Sequence, residues 1–165
     1  MNSSLSFRKL KTFLFNASAQ RVTSNPTSRA DLMNAGRRSA DIDLGKGNDF
    51  FSGQTGDDSV QGGNGADTLR GGGGDDVLSG GAGDDRLEAG SGRDRLTGGT
   101  GADFFIFSSG KNTITDFNPA EGDQLTIQSR DKVKIRSRKN DVILRWKSGK
   151  AILEIYHSGD FDIEV

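Results

Sequence analysis

Seven aspartates stand nine residues apart: Asp49, Asp58, Asp67, Asp76, Asp85, Asp94 and Asp103. Two residues before each lies a glycine (Gly47, Gly56, Gly65, Gly74, Gly83, Gly92, Gly101), and two after each an apolar side chain (Phe51, Val60, Leu69, Leu78, Leu87, Leu96, Phe105). Carboxylates set at a fixed period among glycines are hard oxygen ligands, and the glycines can add more. Glycine reaches positive φ and lets backbone approach closely, so a turn built from it can aim several carbonyl oxygens at one point. The chemistry this suits is the capture of a hard divalent cation.

The elements that must position these ligands follow from one unit, residues 80–88. Its first six residues, Gly80-Gly81-Ala82-Gly83-Asp84-Asp85, offer almost no side chain to a core and read as a turn. The last three suit a short strand with Leu87 inward and Arg86 and Glu88 outward. Two such units bring the chain back to its starting side, so 18 residues make one coil. Stacked coils sit about 4.7–4.9 Å apart in the pairing direction. Aspartates 18 apart then become vertical neighbours: Asp49/Asp67, Asp58/Asp76, Asp67/Asp85, Asp76/Asp94 and Asp85/Asp103.

Two carboxylates at that spacing repel by roughly 3–4 kcal/mol at an effective dielectric near 20. Calcium takes six to eight oxygens at about 2.3–2.6 Å, so ligands on opposite sides of it lie about 5 Å apart. The spacing suits calcium and opposes the empty stack, and the pairs predict about five ions. Magnesium is the worse candidate because its tight octahedron tolerates such a backbone cage poorly. Zinc is worse again, with no Cys and one His in the chain. The expected fold class is all-β, a parallel β-roll capped by antiparallel strands.

The tandem pattern over residues 44–106 resembles the RTX (haemolysin-type) calcium-binding nonapeptide repeats. The resemblance implies ions between turns of adjacent coils. One turn gives the carbonyls of its second and fourth residues and its Asp, and the other those of its first and third residues and its Asp. Carried over, Gly81, Gly83 and Asp85 share an ion with Gly98, Thr100 and Asp103. Gly63, Gly65 and Asp67 likewise pair with Gly80, Ala82 and Asp85. The same rule reaches Gly45, Gly47, Gly56, Gly62, Asn64, Gly71, Gly72, Gly73 and Gly74 at the remaining sites. Leu44, Gln54 and Ala89 depart from glycine at the first two positions of their units. The unit 35–43 keeps Gly36 and Ile42 but has Arg38 and Ala40 where Gly and Asp belong, and reads as a metal-free cap.

Charge is distributed accordingly. Residues 1–40 carry seven Lys/Arg against one acid, residues 41–107 five against thirteen, and residues 108–165 ten against nine. Hydrophobic residues are 32% of the chain, too few for a large conventional core. No apolar run approaches the ~20 residues of a membrane helix. Residues 1–34 read as a polar basic tail, in preference to a short amphipathic helix built on Leu5, Phe7, Leu10 and Leu14.

The repeat is expected to end at Phe107, giving a roll over 35–107 and a cap over 108–165. In the cap, Val133/Ile135, Val142/Leu144/Trp146 and Ala151/Leu153/Ile155 alternate with polar residues, as does the Phe161/Ile163/Val165 end. Residues 114–117 and 122–127 read as another pair of strands around a turn at 119–121. Ile114-Thr115-Asp116-Phe117 and Gly122-Asp123-Gln124-Leu125 resemble the segment that follows the roll in secreted RTX proteases. That resemblance implies extracellular placement through a type I secretion apparatus, with Asp162-Ile163-Glu164-Val165 as an imperfect uncleaved signal.

Catalytic signals are missing from the sequence. His157 is the single histidine and no H-E-x-x-H is present, so neither a zinc protease nor a marked Ser-His-Asp set is legible. The expectation is a non-catalytic calcium binder. Three classes stay open: a stand-alone secreted protein, the C-terminal export and chaperone module of a larger secreted enzyme (protease, lipase or polysaccharide epimerase), and a carbohydrate-binding surface module. Lys132, Lys134, Arg136, Arg138 and Lys139 form a basic stripe that suits extracellular polysaccharide or plain solvent, and no nucleic-acid partner is expected.

Overall fold

In the computed structural model, residues 12–14, 30–37, 39–128, 132, 134–138, 141–146 and 149–155 are described. They form two stacked sheets wound by one chain. The first takes β1 (Thr12–Leu14), β2 (Leu32–Asn34), β4 (Phe50–Ser52), β6 (Thr68–Gly73), β8 (Arg86–Ser91), β10 (Phe104–Phe107) and β12 (Gln124–Ile127), in that order and all parallel. The second takes β3 (Asp41–Lys46), β5 (Ser59–Asn64), β7 (Val77–Ala82), β9 (Arg95–Thr100), β11 (Gly110–Phe117) and β15 (Gly149–Ile155) in parallel. Beyond β15 the sheet turns antiparallel through β14 (Asp141–Trp146) and β13 (Lys134–Arg138). Among the described residues no helix is long and apolar enough to cross a membrane.

Registers advance by one coil at a time. Phe51 lies beside Leu69, Leu69 beside Leu87 and Leu87 beside Phe105 in the first sheet. Val60, Leu78, Leu96 and Ile114 do the same in the second. Each of these side chains is 0–1% exposed, and together they make one narrow core with Met33, Ile42 and Phe117. The expected parallel β-roll with antiparallel C-terminal strands is what the chain adopts.

Four details differ from the sequence expectation. The strands are six residues long in the middle of the roll, not three, because pairing continues across the first glycines of the next turn (Gly63 beside Gly81, Gly72 beside Gly90). At the foot, β2 pairs with β4 and β1 with β2, so Thr12–Leu14 and Leu32–Asn34 of the expected 1–34 tail extend the sheet below the cap unit. At the top, the winding passes Phe107. Strand β11 joins the second sheet through Ile114 beside Leu96, because Gly110, Asn112 and Ile114 hold the repeat's spacing without its Asp. Finally, β11 and β12 lie in opposite sheets instead of pairing with each other, although the turn between them forms (Gly122 N–H to Pro119 O, 3.1 Å). Residues 108–127 thus wind on in parallel, and antiparallel structure begins at β13. The proposed terminal signal 162–165, His157 and Lys139 lie outside the described residues.

Candidate metal centre

The seven aspartates are all buried, at 1–2% exposure. They stack in two columns, one at each edge of the roll. Column one runs Asp49, Asp67, Asp85, Asp103, and column two Asp58, Asp76, Asp94. The backbone N–H of each aspartate donates to Oδ1 of the aspartate one coil later: Asp49 to Asp67 at 2.7 Å, Asp67 to Asp85 at 2.8 Å, Asp85 to Asp103 at 2.9 Å. Column two repeats this, Asp58 to Asp76 at 2.8 Å and Asp76 to Asp94 at 3.1 Å. All five aspartate pairs expected from the period are therefore brought together.

The second oxygen is different. Oδ2 of every one of the seven is buried and has no hydrogen-bond partner. A buried anionic oxygen without a partner is costly, and seven in register require an explanation. Burial raises each of these carboxyls, with the neighbouring aspartates adding to it: Asp49 and Asp103 rise to about 6, and Asp58, Asp85 and Asp94 to about 7. Asp67 and Asp76 are raised as well, again by burial first. Burial thus works against the charged form, and a cation beside these carboxylates would reverse that.

Glycine makes the pocket. A Cβ on Gly80 would stand 2.2 Å from Asp85 Oδ2 and 2.7 Å from the Gly98 carbonyl oxygen. On Gly62 it would meet Asp67 Oδ2 at 2.4 Å and Gly80 O at 2.6 Å, and on Gly71 Asp76 Oδ2 at 2.2 Å and Ala89 O at 2.7 Å. The orphan oxygen of one coil and the first carbonyl of the next therefore face the same small space. The second and fourth glycines are needed for a separate reason. Gly81 and Gly83 have φ of 117° and 125°, and a Cβ on either would run into the carbonyl of Gly63 or Gly65 below. Third-position carbonyls of Asn64, Gly73, Ala82 and Thr100 each accept one N–H from the coil before, at 2.7–2.9 Å, and retain a second lone pair.

Oxygens of this kind, two carboxylates with backbone carbonyls around them, are the donor set of calcium. Among the described residues no three His, Cys, Asp or Glu side chains converge on one point, so carbonyls must complete any coordination shell. Gln54, the departure from glycine in the second position, keeps the turn by adopting φ of 72° itself.

Some functional positions were missed from the sequence. Asn112 takes the place of an aspartate above Asp94, accepting its N–H at 3.3 Å, and Gly110-x-Asn112-x-Ile114 in repeat phase was the available signal. Asp123 accepts the N–H of Asp103 at 3.0 Å, hidden by a two-residue insertion. Asp31, in phase 18 residues before Asp49, donates its N–H to Asp49 Oδ1 at 2.6 Å. An outer, exposed ladder also runs through the fifth positions, where Asp57 Oδ1 accepts from Asp75 N and Asp75 Oδ1 from Arg93 N, both at 2.8 Å.

Residues 43–78 and 79–114 match the family model of the RTX calcium-binding nonapeptide repeat. No curated protein sequence matches the chain. Among solved structures, the extracellular lipase LipA from Serratia marcescens is similar at 18% identity and a TM-score of 0.37, over 86% of this chain and 38% of the lipase. Residues 43–114, stacked as a parallel β-roll with their aspartates in two columns, are thus similar to the RTX calcium-binding nonapeptide repeat family.

Proposed function

We propose that the chain is a calcium-driven folding module of a secreted protein, binding ions between successive coils and catalysing nothing itself. The observation that carries this is the row of seven buried, partnerless Oδ2 atoms, one per repeat turn. The assigned ligands are the Asp pairs 49/67, 58/76, 67/85, 76/94 and 85/103. Around them lie second- and fourth-position carbonyls of the lower turn (Gly45, Gly47, Gly56, Gly63, Gly65, Gly72, Gly74, Gly81, Gly83). First- and third-position carbonyls of the upper turn complete the shell (Gly62, Asn64, Gly71, Gly73, Gly80, Ala82, Gly98, Thr100). Because the narrow core supplies one apolar side chain per unit, the free energy of ion binding becomes folding free energy.

At low calcium the acidic repeats then stay unfolded, and at extracellular concentrations, with affinities of roughly 10⁻⁴–10⁻³ M for such modules, they wind up. That order of events suits export of an extended chain followed by folding outside. Circular dichroism over a calcium titration, with EGTA as control, tests the switch. Strand signal is expected to grow with calcium, and a spectrum already complete in EGTA would remove calcium from the folding step.

A further inference from the structure

The last repeat aspartate has the same buried, partnerless oxygen as the others, yet the turn above it lies outside the repeat. Asp103 is 1% exposed, its Oδ1 accepts the N–H of Asp85 at 2.9 Å, and its Oδ2 is buried without a partner. A Cβ on Gly98 would stand 2.2 Å from that oxygen, as on the first glycines of the turns below, but the Phe105 ring at 2.9 Å takes the place that a carbonyl of the next coil holds there. What lies above is residues 116–123, outside the segment that matches the repeat family.

That segment rebuilds the upper half of a site by other means. Register carries over with two extra residues: Phe104 lies beside Gln124, and the N–H of Gln124 donates to Asp103 O at 2.8 Å. The Asp103 N–H donates to Asp123 Oδ1 at 3.0 Å, as each aspartate does to its successor. Asp116 sits over the first two residues of the last repeat turn, its two oxygens accepting from Gly98 N at 3.0 Å and Gly99 N at 2.8 Å. Among the described residues no Lys or Arg forms an ion pair with Asp103, Asp116 or Asp123. Both Asp123 and Asp116 oppose the charged form of Asp103, adding to its burial.

Asp123 also shows where the ladder stops. Its Oδ2 accepts the N–H of Asn118 at 2.8 Å, so its outer oxygen is satisfied by its own turn. The seven aspartates below leave that oxygen without a partner. A carboxylate with one oxygen toward the column and the other tied off is what the end of an ion column requires.

We propose that Asp103 and Asp123 hold one further calcium ion above the last repeat, with backbone carbonyls completing its shell and the Asp116 charge beside it. The ion fastens β12 to the roll, at a place where the repeat pattern has already ended. This rests on the reading that the stacked aspartates take calcium at all.

Native mass spectrometry of the full chain in calcium separates the two. If the wild-type protein retains no ions, the calcium reading itself fails. If it retains them, Asp123→Asn is expected to hold one fewer, and an equal count overturns the extra site while leaving the repeat sites standing. Should Asp123→Asn lose its strand signal in calcium, Asp116→Asn decides instead. It is expected to raise severalfold the calcium concentration that fills the last ion, and an unmoved filling curve overturns the proposal.

Discussion

The two edges of the roll use one repeat to different effect. In column one, Asp49, Asp67, Asp85 and Asp103 are continued by acidic residues at both ends, Asp31 below through its backbone N–H and Asp123 above through its carboxylate. In column two, Asp58, Asp76 and Asp94 end on neutral groups. The N–H of Ala40 donates to Asp58 Oδ1 at 2.7 Å below, and Asn112 closes the top, its Nδ2 donating to Ser109 O at 2.9 Å. Column two also carries Gln54 and Ala89 at first or second turn positions, whereas column one departs only at Leu44. The backbone ladder is the same on both sides, so the difference lies in charge and in room for an ion. On the proposed reading, column one has acidic residues to extend its ion sites at either end, and column two does not.

The largest test of that contrast compares Asp85→Asn with Asp94→Asn. Asp85 stands between two charged neighbours, Asp67 and Asp103, and under the proposed ligand assignment it shares an ion with each. Asp94 faces Asp76 on one side and an amide on the other. Asp85→Asn is expected to remove up to two ions and raise the calcium midpoint for folding by an order of magnitude or more. Asp94→Asn should remove one ion and shift the midpoint several-fold. Native mass spectrometry and circular dichroism read both, and equal losses would erase the asymmetry of the columns.

A smaller effect follows from pH. Folded carboxyls at about 6 (Asp49, Asp103) and about 7 (Asp58, Asp85, Asp94) lie above the ordinary 3.8 of the unfolded chain. Without calcium, the folded roll binds more protons than the unfolded chain. This contribution is fully present below pH 3.8 and is lost as pH rises through about 6–7. With calcium the sense reverses, because the ion needs the charged form and its binding expels protons. Calcium titrations at pH 5 and pH 8 should therefore give the lower midpoint at pH 8, while in EGTA residual strand signal should be greater at pH 5. A midpoint independent of pH would mean that these carboxylates are not the ligands.

The sequence made the middle of the molecule legible and blurred both ends for a physical reason. Between Leu44 and Ile106 each turn needs glycine where a Cβ would strike the carbonyl of the coil below, and each strand needs one inward apolar residue, so all constraints leave a nine-residue mark. Past Phe107 the winding survives on strand pairing, an apolar row and single stand-ins for the repeat residues such as Gly110, Asn112 and Asp123, and pairing of backbones leaves little mark in side-chain identity. Asn112 in place of Asp, and two extra residues before Asp123, were enough to hide one more coil. At the foot, Asp31 and Met33 keep the phase of the repeat, but Pro26, Thr27 and Arg29 stand where its glycines belong. The antiparallel end was readable again, since each of β13–β15 alternates with period two, and the registers Val142 beside Leu153 and Leu144 beside Ala151 agree with that pattern.

The smallest expected effect concerns Gln54, where column two breaks the glycine rule. Gln54 holds φ of 72°, a conformation that costs a side-chain-bearing residue roughly 1 kcal/mol. Gly72, one coil above, shows why glycine is usual there: its Cβ would stand 2.5 Å from the Gln54 carbonyl oxygen. Beneath Gln54 lies Gly36, on which a Cβ would meet nothing within 4 Å, so the foot of the column is open. Gln54 also has a compensating contact, since its Nε2 donates to Asn34 Oδ1 at 2.8 Å on an exposed surface. Gln54→Gly removes the backbone cost and loses that bond, which in water contributes about 0.5–1 kcal/mol. A net gain of a few tenths of a kcal/mol is the expectation, read as a slightly lower calcium midpoint and a Tm higher by about a degree or two. A clear fall in Tm would show instead that the Gln54–Asn34 bond fastens β2 to the roll and that column two is held from below by side chains.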